Sequence, residues 1–181
     1  MLLSALFTNA QNIDQAEKKL SVYSVDANKA AIGITAEQLK NAIVATSYED
    51  VATGIRYVGL QQSYKGIPVY TQFLILSFRN DQLLSKAGSF NQSIEKLVNV
   101  TSASPAVSAE SAVQSALSDR GFRATQMAIP INRKDEGRFV VFGNMGISQE
   151  NITAQLTWVP NEKTTEYRLA WQVYIIPKTT S

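Results

Sequence analysis

The groups that carry most covalent and metal chemistry are missing from this sequence. It contains no histidine and no cysteine. Their absence excludes a Ser-His-Asp triad, an imidazole general base, a cysteine nucleophile, a disulfide, and any zinc site built on imidazole or thiolate. A hydrolase would be left with paired carboxylates or a Ser-Lys dyad. The 15 acidic residues are scattered, mostly among charged neighbours, as in Arg133-Lys134-Asp135-Glu136. No catalytic centre, cofactor site or metal site is predicted from these residues.

The remaining functional classes narrow in the same way. With 17 basic against 15 acidic residues the net charge is +2, too balanced for the basic footprint of a nucleic-acid binder. Met1 to Asn12 is apolar and then small and polar, like the end of a secretory signal. It is too short to span a bilayer. The expectation is a signal remnant over 1–12, an extracellular protein and no stable membrane span.

The elements that position the rest follow from periodicity. Over Asp14 to Ala31, a stripe of Ala16, Leu20, Tyr23, Ala27, Ala30 and Ala31 recurs at helical spacing, which predicts a helix packing that stripe on a sheet. Asp14 is placed to cap its start and Gly33 to stop its end. Thr35 and Gln38 form a capping box for a short helix. Residues 42–48 are β-branched and read as a strand, and Val51 to Gly54 as a turn. Ile55 to Phe90 reads as a meander of three strands, turning at Lys65-Gly66 and Asn80-Asp81. The run from Val69 to Arg79 is its longest and central strand. Asn91 to Pro105 is polar, and reads as a docked connection that keeps Ile94, Leu97 and Val98.

Beyond it Ser108 caps a helix over Ala109 to Asp119, ended by Gly121. Strands are predicted over 138–143, 152–160 and 167–176. Helix, strands, helix, strands is an α+β order. It predicts two small units, each a helix packed on a curled antiparallel sheet, with a boundary near residue 100.

The run from Gly54 to Tyr70, most specifically Gln61-Gln62-Ser63-Tyr64-Lys65-Gly66-Ile67-Pro68-Val69-Tyr70, resembles the signature of the fungalysin/thermolysin propeptide domain. Leu83 to Phe90 resembles that family's closing strand. Residues 104–113 and Leu169 to Val173 resemble parts of a PepSY-like unit. The sequence looks closest to fungalysin-type precursors of Bacteroidetes-like secreted proteins. Three positions depart from the family pattern. Tyr57 stands at a usual His, Gly59 at a usual Tyr, and Thr71 where Asn or Gly is common.

The resemblance implies cystatin-like and PepSY-like folds, with a propeptide domain over 13–98 and a PepSY-like unit over 99–181 lacking its last strand. It implies a non-catalytic prosegment that helps a secreted zinc metalloendopeptidase to fold and blocks its cleft. The partner would be that peptidase domain, in cis in the precursor, and no cofactor is expected. Gln61, Gln62, Tyr64, Gly66, Ile67, Pro68 and Tyr70 are the candidate motif or peptidase-contact residues. For Gly66 and Pro68 plain turn geometry is the competing explanation. The alternative function is a stand-alone extracellular module holding peptide or glycan on Tyr64, Tyr70, Trp158 and Trp171.

Overall fold

The computed structural model of the protein describes residues 15–100 and 102–178. The expected signal remnant and the Asp14 cap lie outside them. The fold is α+β, and the chain divides into two compact units between Lys96 and Leu97. None of the described helices is long and apolar enough to cross a membrane.

The first unit opens with α1 (Gln15–Ala27), the single turn α2 (Lys29–Ile32) and α3 (Ala36–Asn41). Four antiparallel strands follow: β1 (Ile43–Asp50), β2 (Ile55–Tyr64), β3 (Ile67–Arg79) and β4 (Gln82–Gly88). They pair in chain order. Lys65 and Gly66, with φ of 52° and 73°, form the two-residue turn between β2 and β3; Asn80 and Asp81, at 50° and 59°, form the next. Positive φ at both central residues gives a turn whose twist matches its strands. Gly33 ends α2 in the left-handed region, and the Thr35–Gln38 capping box starts α3. Val25, Ile32, Val58, Leu60, Leu74, Leu76, Phe78 and Phe90 fill the core.

The face that α1 buries is not the expected one. Leu20 is 48% and Tyr23 64% exposed, and Ala16, Ala27, Ala30 and Ala31 are exposed as well. Ser21, Ser24 and Val25 face the sheet instead. Serine is small enough to let a helix approach closely, and its hydroxyl can satisfy itself locally. Ser21 and Ser24 each donate to the main-chain carbonyl four residues earlier. The same hydroxyls also face outward: Ser21 meets the Ser47 hydroxyl of β1, and the single Ser24 proton is shared between the Leu20 carbonyl and Asp81 Oδ1, the closer acceptor at 2.6 Å. Asn28, just past the helix, donates to the Asp81 carbonyl at 2.7 Å and accepts from the Leu83 amide at 3.3 Å. The helix is thus seated by hydrogen bonds where apolar periodicity pointed to the other side.

The one-turn helix α4 (Ile94–Leu97) lies within the polar connection. The second unit contains α5 (Ala109–Asp119), capped by the Ser108 side chain on Ser111 N. Its strands are β5 (Pro130–Lys134), β6 (Phe139–Phe142), β7 (Ile152–Pro160) and β8 (Tyr167–Tyr174), paired antiparallel in chain order. Ala109, Val113 and Leu117 of α5 pack with Val140, Phe142, Ile152 and Ala154. Strand β5 escapes a reading based on apolar runs. Four of its five residues are exposed, Pro130 starts it, and its register slips between Pro130 and Asn132. An edge strand with a bulge and a proline needs no buried face.

Candidate functional site

The motif residues lie on both sides of the β2–β3 turn, and most of them are committed to the fold. The register between β2 and β3 jumps from Gln61↔Phe73 to Ser63↔Pro68. Two steps along β2 therefore match five along β3, so β3 carries a wide bulge around Val69 to Gln72. Strand pairing cannot serve the main chain inside such an excursion. Gln61 Nε2 donates across it to the Val69 carbonyl at 3.4 Å.

Gln62 points the other way. Its Nε2 donates to the Asn91 carbonyl at 2.7 Å, and its Oε1 accepts the Asn91 amide at 2.8 Å. A carboxamide offers one donor and one acceptor side by side. Here it imitates one rung of a strand ladder and fastens the connection after β4 to β2. Gln38 adds a donor to the same Asn91 carbonyl at 3.2 Å. Ser63 donates to the Asn41 carbonyl, which ties down the end of α3. Gln61, Gln62 and Ser63 are all buried.

Ile67 and Val69 are fully buried, and Pro68 is buried with them. Gly66 is exposed at the turn tip with φ 73°. Tyr70 is 39% exposed. Tyr64 is half-buried, and the Lys65 ammonium sits 5.5 Å from its ring centre. The motif therefore splits in two. Gln61, Gln62, Ile67 and Pro68 hold the sheet, while Gly66, Tyr70 and part of Tyr64 face outward.

The three departures each have a local setting. Thr71 lies inside the β3 bulge with φ 62°, a region that L-residues other than Asn, Asp and Gly rarely occupy, β-branched ones least of all. Gly59 faces the point where β1 slips register between Val44 and Thr46. A Cβ there would lie 2.4 Å from Thr46 Oγ1. Tyr57 stacks on its cross-strand partner Tyr48 with ring centres 5.1 Å apart.

A polar cleft of about 560 Å³ opens beside this clamp. Gln62, Ser63, Tyr64 and Lys65 form one wall, α3 residues a second, and Asn91 to Glu95 a third. Several of its amides are already paired with one another through the Asn91 contacts. Among the described residues no group of three or more Asp and Glu is placed to hold a metal ion.

Of the aromatic residues proposed for ligand stacking, one is withdrawn from the surface and one is partly covered. Trp158 is fully buried. Trp171 packs against the core of the second unit and donates its Nε1 to the Val107 carbonyl at 2.7 Å.

The sheet described above coincides with a known family pattern. Residues 41–90 match the Fungalysin/Thermolysin Propeptide Motif. The match opens at the end of α3, spans β1 to β4, and closes at Phe90, next to the Asn91 clamp. It supports an N-terminal propeptide segment of a fungalysin/thermolysin-type peptidase precursor, and with it a non-catalytic role for this part of the chain. No curated protein matches the chain. The sequence pattern marks the motif residues but not the role of Asn91. The signal available for it was chemical: two adjacent glutamines that follow Val58-Gly59-Leu60 in a strand need partners wherever they are buried.

Proposed function

We propose that this chain is the prosegment of a secreted zinc metalloendopeptidase of the fungalysin type. It acts on that enzyme in cis, as an intramolecular chaperone and as a cleft-blocking inhibitor. The observation that carries the reading is the family match over β1 to β4, the sheet that Gln61 and Gln62 brace. Residues 99–181 would be its PepSY-like companion, and the precursor would be of Bacteroidetes-like bacterial type.

The mechanism requires no chemistry from this chain. A braced sheet presents a preformed surface, so little ordering entropy opposes docking. Contact with the peptidase falls to the outward residues of the motif, Gly66 and Tyr70 with the Tyr64 edge. Exclusion of substrate from the cleft then follows from occupancy alone.

Refolding tests the chaperone half. A denatured fungalysin-type endopeptidase is diluted into buffer with and without equimolar chain. The reading predicts a higher yield of active enzyme with the chain present. Equal yields, with the chain shown to be folded by circular dichroism, would remove that half.

A further inference from the structure

The exposed side of α1 among the described residues has the form of a helix-pairing seam. Ala16, Leu20, Tyr23 and Ala27 follow one another at intervals of four, three and four. That is the a/d spacing of paired helices. All four are exposed, Leu20 by 48% and Tyr23 by 64%. The opposite side of α1 is held on the sheet by Ser21 and Ser24, and among the described residues the seam stays exposed.

The charges along the seam indicate which partner fits. Lys19 and Asp26 flank it on the same side, at about 100° per residue. Asp26 also pairs with Lys29 at 2.9 Å, and both of those side chains remain substantially exposed. When two copies of a helix pack antiparallel about a two-fold axis, the same flank of each copy meets. Residues equally far from the midpoint then lie opposite one another. Lys19 and Asp26 lie about 5 Å on either side of the point between Val22 and Tyr23, at 1.5 Å per residue. An antiparallel pair of α1 helices therefore sets Lys19 of each copy against Asp26 of the other, twice, with Leu20 and Tyr23 interleaved between them. A parallel pair would turn this flank towards the Glu17 and Ser24 side, which is engaged with β1 and Asp81.

We propose that α1 is a self-association surface, through which two copies of this chain pair antiparallel about Tyr23. The inference is independent of the prosegment reading. One helix face is smaller than the about 1,200 Å² at which standard complexes begin, so the dimer is weak and concentration-dependent.

Sedimentation equilibrium of the full chain, from micromolar to millimolar concentration, tests it. The expected result is a reversible monomer–dimer equilibrium. Tyr23→Glu should weaken it by at least about tenfold, equivalent to burying an unpaired charge in the seam. Lys19→Asp and Asp26→Lys should each weaken it, because each places like charges opposite one another twice. Mixed in equal amounts, these two variants should form a heterodimer, since every facing pair is then complementary. This rescue also guards against misfolding, because unfolded variants would not recover on mixing. A parent chain that stays monomeric at millimolar concentration overturns the proposal. So does a dimer that Tyr23→Glu leaves unchanged, or a pair of charge variants that fails to heterodimerise.

Discussion

Replacing Gln62 with leucine removes the carboxamide and keeps a side chain of similar bulk. Two hydrogen bonds disappear, those of 2.7 Å and 2.8 Å to the Asn91 main chain. The Asn91 carbonyl keeps the Gln38 amide at 3.2 Å, so its loss is about one net hydrogen bond, or about 1 kcal/mol. The Asn91 amide has no such substitute acceptor in Gln38, but Asn91 is half-buried and lines the cleft, where water can reach it, so its lost bond costs about 0.5–1.5 kcal/mol. Together the substitution should cost about 1.5–2.5 kcal/mol.

For a unit of this size that corresponds to a fall in melting temperature of about 6–20 °C. The assay is urea unfolding followed by far-ultraviolet circular dichroism, with hydrogen exchange at the Asn91 amide as a local probe. The control is Gln92→Leu. Gln92 is exposed and makes only long contacts, 3.3 Å and 3.4 Å, to main-chain carbonyls. It should change stability by less than about 0.5 kcal/mol. If Gln62→Leu costs no more than this control, or if the Asn91 amide exchanges no faster, the clamp is not what secures the connection.

Three further outcomes follow from the same geometry. Thr71→Gly should stabilise the chain by about 0.5–1 kcal/mol in the same urea assay, because relief of left-handed strain outweighs the added backbone entropy; destabilisation would contradict the strain. Gly88→Ala should cost about 3 kcal/mol or prevent folding: φ is 84° and the new Cβ would lie 2.1 Å from the Phe73 carbonyl oxygen. A soluble, fully stable variant by thermal melt would contradict that contact. The Glu110 carboxyl is held below its ordinary value of 4.5, first by its own main-chain amide; partial burial works against this, and the Ser108 hydroxyl and then Arg133 lower it further. A depressed carboxyl adds stability above its unfolded value and loses it as pH falls through the folded one. Acid titration of stability should therefore be shallower below pH 4.5 in Glu110→Gln than in the parent; identical profiles would refute the linkage.

How far the fold was legible depended on what each segment uses to hold its place. Turns were legible because Gly66, Asn80, Asp81 and Gly33 are residue types that positive φ requires or tolerates; Lys65, at φ 52°, was legible only through its glycine neighbour. Helix α5 was legible because Ser108 caps it and its buried face is apolar. Helix α1 misled for the opposite reason: its apolar periodicity is real, but Ser21, Ser24 and Asn28 seat it through hydrogen bonds. Strand β5 left little trace, since an exposed edge carries no apolar alternation. The motif residues were legible as a pattern, yet their purpose was not. Whether Gln62 binds a partner or braces Asn91 depends on a contact 29 residues away, which no local periodicity encodes.

The central claim is that this chain binds a fungalysin-type endopeptidase and closes its cleft. Its most direct test is inhibition in trans, with the purified folded chain titrated into such an enzyme acting on a peptide substrate. The account predicts dose-dependent, competitive inhibition, weakened by Tyr70→Ala while the fold is retained. Undiminished turnover at saturating concentrations of folded chain would contradict it.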